Sequence, residues 1–364
     1  MNRRNWRHFD WPLFVAVILL SLLGVIMMVS AVQGDPHLTT YPRRQAVYVL
    51  VGIALLLTVA LIDYHLLASF TVPLYGLVLV LLALVGVLGK RLFGAQSWLD
   101  VFGLFPVQPS ELAKVVLALV LARYLAARQE PIGRLGTIAG ALLIAAPILI
   151  FVFLQPDLGM TIVLAVELGF ILFVAGIRWL HLAGGVVGLV AAAPLFWSIL
   201  QDHQRTRLRI FLDPAADPNS YFNVQQALVS VGSGGLLGKG FGQGTQSQLH
   251  FLRVRHTDFI FSVIAEELGF IGACMLLLLL LFILWRLWRV AEQARDPYGR
   301  LLVVAVTAVI LFQAVINIGM NMALVPVTGL PLPFVSYGGN AMLSFFLMIG
   351  LAQSVAMRKQ KIDF

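Results

Sequence analysis

Ten runs of mostly apolar residues follow one another along the chain, at 11–33, 45–62, 66–88, 111–127, 136–154, 159–176, 179–200, 268–286, 301–320 and 341–357. Each approaches the roughly 20 residues that a helix needs to cross a bilayer. Short polar connections separate them, with one long exception at about 201–267. The pattern predicts an all-α polytopic membrane protein with about ten transmembrane helices, a single integral membrane domain over 1–364. The long connection, between spans 7 and 8, reads as an extracytoplasmic loop. The first run is too long for a cleaved signal peptide, and no small-residue cleavage site follows it.

Composition agrees. The 364 residues are 60% hydrophobic and 12% charged, against about 25% charged in soluble chains. Lys and Arg in short loops mark the cytoplasmic side. With the N-terminus inside, that side receives Arg3, Arg4, Arg7, Arg123, Arg128, Arg134, Arg178, Arg286, Arg289, Arg295, Arg300, Arg358, Lys359 and Lys361. The short outer loops hold only Arg43, Arg44, Lys90 and Arg91. Both termini are therefore expected in the cytoplasm. The net charge of +8 is mostly this bias and carries no nucleic-acid footprint. The single cysteine, Cys274, and the scattered histidines leave no disulfide and no Cys- or His-based metal spacing.

Ionisable residues at membrane depth are costly and mark candidate sites. Glu111 and Lys114 share a helix face at the start of the fourth span. They read either as an ion pair within the bundle or as a cation meeting a substrate, with Lys114 favoured for the latter. Asp157, in LQPDLGM, reads as a helix cap or a site residue. Glu167, in mid-span, is expected to pair with a basic residue elsewhere. Asp258, in RHTDFIF, reads equally as a helix cap (with Thr257 as the alternative cap) and as a general base whose proton affinity burial raises. Three Gly- and Pro-rich stretches, GAQSWLDVFGLFPVQPSELAK, GSGGLLGKGFGQGTQ and PVTGLPLPFVSYGG, fall on the same outer side. Irregular backbone at that depth belongs where it lines a cavity. The Gly-rich loop with Lys239 is a weak phosphate signal, since it follows no strand.

The segments QPSELAK, QPDLG, GSGGLLGKGFGQGTQ, HTDFIFSVIAEELGF and VPVTGLPLPFVSYGG together resemble the SEDS proteins (shape, elongation, division and sporulation) over nearly the whole chain. The short N-terminus is more similar to the elongation member of the family than to the division member. The resemblance implies a peptidoglycan glycosyltransferase that polymerises lipid II on the outer face of the bacterial cytoplasmic membrane, for cell-wall elongation and cell shape. It implies a class B penicillin-binding protein as partner, besides lipid II, the nascent glycan strand and membrane lipids. Asp258 takes the place of the family's essential acid. Arg44, Trp98, Glu111, Lys114, Asp157, Lys239, Thr257 and Ser336 are the implied substrate contacts. The chain departs from the family pattern at Ser97, at Arg253–Val254 and at Asn340.

A pyrophosphate-linked donor already has a good leaving group, so the reaction needs a base for the acceptor hydroxyl and cations for the departing pyrophosphate. Asp258 is the expected base, with inversion at the donor carbon giving a β-1,4 linkage. Arg44, Lys114 and Lys239 are the candidate cations. A divalent cation, Mg or Mn, is the one cofactor expected, without an assigned ligand set and with no organic cofactor. The rival readings are a lipid-linked-precursor flippase, disfavoured because its polar sites should lie near the midplane, and a non-catalytic scaffold.

Overall fold

A computed structural model describes residues 6–92, 95–101, 105–128 and 135–359. Arg3, Arg4, Arg134 and Lys361, counted above for orientation, lie outside the described residues. The helices are α1 (Trp11–Ala31), α2 (Tyr41–Leu61), α3 (Tyr64–Ser69), α4 (Thr71–Leu88), α5 (Pro109–Ala126), α6 (Leu135–Leu154) and α7 (Leu158–Ala175). They continue as α8 (Trp179–Ala191), α9 (Ala193–Ile199), α10 (Asp202–Leu212), α11 (Pro218–Ser233), α12 (Thr245–Gln248), α13 (Ile260–Glu292), α14 (Pro297–Asn321) and α15 (Gly339–Ala356). Among the described residues, eight are long and apolar enough to cross a membrane, and α8 with α9, bent by 48°, forms a ninth. Helix α5 has 18 residues and carries Glu111, Lys114 and Arg123. It is buried on most sides and is not among those spans, so the described residues give eight or nine against the ten expected. The chain is a multi-pass membrane protein.

Helix α14 is the hub, packed against α5, α7, α13 and α15. Helix α15 lies along α2. The outward faces of α2, α4 and α8 keep large apolar side chains such as Leu50, Val87, Trp179 and Val187 exposed, as a lipid-facing surface requires. At the end of the bundle that holds the start of α1 and the end of α15, Arg286 donates to both oxygens of Asp10, at 3.1 and 2.6 Å. Gln353 exchanges hydrogen bonds with the Asp10 backbone, at 2.9 and 2.8 Å. These contacts join the start of α1 to α13 and α15.

The structure departs from the periodicity in three places. The third run is two helices, broken at Phe70. Pro73 lacks an N–H, and in a continuous helix its ring would meet the carbonyl of Ser69. Residues around Trp98 form a three-stranded antiparallel sheet, β1 (Lys90–Leu92), β2 (Ala95–Val101) and β3 (Phe105–Val107), with Trp98 opposite Lys90. The eighth span begins at Ile260 and is broken at Gly269, where φ is +67°.

That break is filled by the Gly-rich loop. Lys239 and Gly240 donate their N–H groups to the carbonyls of Glu266 and Glu267, both at 3.0 Å. Phe270 and Ile271, past the break, donate to Gly235 and Leu236 at 2.8 and 3.2 Å. Both freed helix ends are thus satisfied by the loop, as burial demands. A side chain on Gly238 or Gly269 would collide with the opposing backbone.

Candidate active site at the end opposite the termini

Three successive carbonyls of the 256–258 segment are held by the chain between Asn317 and Tyr337. The His256 carbonyl accepts from the Tyr337 N–H at 3.0 Å. The Thr257 carbonyl accepts from Ser336 Oγ at 2.7 Å, and Ser336 Oγ itself accepts from the Leu332 N–H at 2.8 Å. The Asp258 carbonyl accepts from the amides of Asn317 and Asn321, at 3.1 and 2.9 Å. Asn321 Oδ1 in turn accepts from the Ser262 N–H and hydroxyl at 3.1 and 2.6 Å. Thr257 and Ser336 are therefore fixed in backbone bonding. Asn317 and Asn321 escaped the sequence reading, although two amides four residues apart in an apolar span are a legible signal.

The carboxylate of Asp258 does not cap a helix. Phe259 is the N-cap residue of α13, without a side-chain cap bond. Asp258 instead points toward Gly329, where φ is +75°. Its Oδ2 and Nη1 of Arg207 each lie 3.8 Å from the point where a side chain on Gly329 would begin. Arg207, on α10, also donates to the Thr328 carbonyl at 3.3 Å. Burial pushes the Asp258 carboxyl up to about 6, more than the Arg207 charge and the Thr257 hydrogen bond pull it down. Arg207 had no role in the sequence reading, because nothing in the run Arg205, Arg207, Arg209 of a polar loop says which of them meets a distant partner.

Asp157 caps α7 through a bond from the Met160 N–H at 3.0 Å, and its other oxygen accepts from Gln108 at 3.4 Å. Burial raises its carboxyl above the ordinary range, and Glu111 adds to this against the pull of the Met160 bond, Arg207 and Lys114. Gln204 of α10 donates to the neighbouring Pro156 carbonyl at 3.1 Å. The structure thus brings Asp157, Gln108, Arg207 and Asp258 to one region.

The candidate cations Lys114 and Lys239 have close protein partners. Lys114, with no exposed surface, lies 2.7 Å from Glu111 and 3.4 Å from Gln313, over the Phe345 ring. Ser344 donates to Glu111 at 2.6 Å. Lys239 sits 2.8 Å from buried Glu266 and donates to Thr245 at 2.8 Å. The loop's N–H groups at 239, 240 and 242 bond the carbonyls of Glu266 and Glu267 and the Glu267 carboxylate, so the loop is a lock on α13. Arg44 is exposed, with its charge near Tyr337. Trp98 lies on β2, partly exposed. Glu167, expected to pair with a base, is fully buried with no hydrogen-bond partner for either oxygen. Among the described residues no three His, Cys, Asp or Glu side chains gather to hold a metal ion.

A polytopic helical bundle with a partly buried carboxylate, Asp258, facing Arg207 at one end defines a multi-pass membrane protein with one candidate active site. Comparison with known proteins gives the family. The profile described as "Cell cycle protein", covering FtsW, RodA and SpoVE, matches residues 10–361, and the chain belongs to this family, the SEDS proteins. It is 35% identical to the peptidoglycan glycosyltransferase MrdB of Escherichia coli, over 98% of this chain and 95% of that one. It is also 35% identical to the stage V sporulation protein E of Bacillus subtilis, over 95% and 96%. Among solved structures, the rod shape determining protein RodA of Thermus thermophilus superposes with a TM-score of 0.74 at 34% identity, over 98% and 99% of the two chains. A chain of a peptidoglycan synthase complex, described for its coordination of polymerisation and crosslinking, gives 0.83 at 35%, over 96% and 97%.

Proposed function

We propose that this chain is a peptidoglycan glycosyltransferase that polymerises lipid II at the outer face of the cytoplasmic membrane, in cell-wall elongation, beside a class B penicillin-binding protein. The names of its relatives support the activity, and the synthase-complex neighbour supports a crosslinking partner. The observation that carries the mechanism is the uncapped carboxylate of Asp258 facing Arg207 across Gly329.

Asp258 takes the proton of the acceptor sugar's 4-hydroxyl. The oxygen then displaces pyrophosphate from the donor's anomeric carbon with inversion, giving a β-1,4 bond. A base with its pKa near 6 is ionised at neutral pH yet still basic enough to assist. Arg207 meets the charge that develops on the departing pyrophosphate. It is better placed for this than Lys114 or Lys239, whose charges face Glu111 and Glu266. Asp157 and Gln108 form the wall beside it. Mg²⁺ is commonly held by one or two carboxylates together with substrate phosphates. The described residues offer no three-ligand set of their own, so no step is assigned to a resident ion.

The test is polymerisation of purified lipid II in detergent, with and without the partner. Asp258→Asn keeps the size of the side chain and should lose about 10²–10⁴-fold in rate. Near wild-type polymer from that variant would remove the base and return the scaffold and flippase readings.

A further inference from the structure

The first two turns of α2 carry Tyr41, Arg44, Gln45 and Tyr48, a spacing that puts all four on one helix face. The rest of α2 is almost wholly apolar. This polar stripe grips the same loop that holds Asp258. Gln45 donates to the Ser336 carbonyl at 3.0 Å. Burial raises the pKa of the Tyr337 hydroxyl, and the Arg44 charge acts on that hydroxyl to pull it down. The ring of Tyr337 stacks on that of Tyr41, with centroids 4.3 Å apart and planes within 13°. His256 meets both edge-on, at 5.4 and 6.1 Å, and Tyr48 lies 6.4 Å from Tyr337. Three separate stretches of chain thus build one aromatic platform. All four rings remain partly exposed. The Tyr337 N–H is bonded to the His256 carbonyl, and residue 256 is within about 7 Å of residue 258 along any backbone. Burial and the neighbouring Arg255 hold the His256 imidazole down at about 4, so the rings are uncharged at neutral pH.

We propose that this platform, Tyr41, Tyr337 and His256 with Arg44 at its rim, seats the acceptor sugar whose hydroxyl Asp258 deprotonates. The proposal rests on the glycosyltransferase reading and divides its site in two. Uncharged aromatic faces suit the C–H face of a pyranose, and the tyrosine hydroxyls and Arg44 suit its hydroxyl and acetamido groups. The region of Arg207 and Asp157 is charged and suits the pyrophosphate of the donor.

The experiment measures binding of the soluble disaccharide N-acetylglucosaminyl-β-1,4-N-acetylmuramic acid, free of lipid and pyrophosphate, to the full chain in detergent by saturation-transfer NMR. Wild type should bind it. Tyr41→Ala should weaken binding about tenfold, Tyr41→Phe should restore it, and inorganic pyrophosphate should not displace it. Equal binding by wild type and a folded Tyr41→Ala variant, displacement by pyrophosphate, or no binding by wild type would each overturn the platform. Loss of fold in Tyr41→Ala leaves Tyr41→Phe and Tyr337→Leu to decide: binding unchanged in Tyr337→Leu overturns the proposal, and weakened binding supports it. A wild-type chain that makes no polymer defeats the glycosyltransferase reading by itself. A polymerising chain whose sugar binding ignores these rings defeats only the platform.

Discussion

Asn321 donates its side-chain amide to the backbone carbonyl of Asp258 at 2.9 Å, and its oxygen receives the Ser262 N–H at 3.1 Å. One residue of α14 thereby satisfies backbone on both sides of the α13 N-terminus. The cap that Asp258 could have provided is not needed from it. Its carboxylate is left to face Arg207, and a helix start is separated from a reactive group one residue away.

The Asp258 carboxyl is held at about 6, whereas an unfolded aspartate titrates near 3.9. Polymerisation should therefore rise with pH through about 6 and level off above it. A rate profile that stays flat from about pH 5 to pH 8 would remove Asp258 as the titrating base.

The same shift has a stability consequence. The folded state binds this proton more tightly than the unfolded state, so stability falls as pH rises from about 4 to about 6 and stays lowered above. Asp258→Asn lacks that cost. In thermal unfolding it should be more stable than wild type near pH 7.5, with the difference vanishing near pH 4. A variant less stable than wild type at neutral pH would mean that the carboxylate supports the fold.

Removing the Arg207 charge should move two readouts. Arg207→Ala should lower turnover by about 10²–10³-fold through lost stabilisation of the leaving group. The Arg207 charge also pulls the Asp258 pKa down, so the midpoint of the rate profile should shift alkaline. Unchanged turnover would remove the leaving-group role, and an unmoved midpoint would separate the two residues.

For Glu111 and Lys114 the 2.7 Å contact and full burial of Lys114 favour a bundle-holding role. Lys114→Ala would strand a buried carboxylate, at about 3–5 kcal/mol. The charge-swapped double variant should regain much of the lost thermal stability and of the activity lost with it. A folded, inactive double variant would give Lys114 back to the substrate.

Orientation can be read with an impermeant thiol reagent on intact cells in a Cys274→Ser background. Gln243 in the Gly-rich loop and Gln293 after α13 are both exposed. A cysteine at Gln243 should label from outside and one at Gln293 should not. The reverse pattern would turn the site toward the cytoplasm.

The spans could be read from the chain, because a bilayer imposes its thickness on every stretch of about 20 residues, and polar exceptions such as Asp258 stood out as candidates. Pairings between distant residues could not be read that way. Lys239 looked like a free cation, but the fold gave it to Glu266, 27 residues away, whereas Glu111 and Lys114, three residues apart on one helix face, were legible as a pair. Arg207 sat unremarked in a polar loop until α10 folded back and brought it to Gly329. Tyr41 and Tyr337 are nearly 300 residues apart and stack only because α2 lies along α15. Hydropathy is a local property, whereas a charge or a ring acquires its role from whichever segment the fold places within a few ångströms of it. That placement was decided by the tertiary structure.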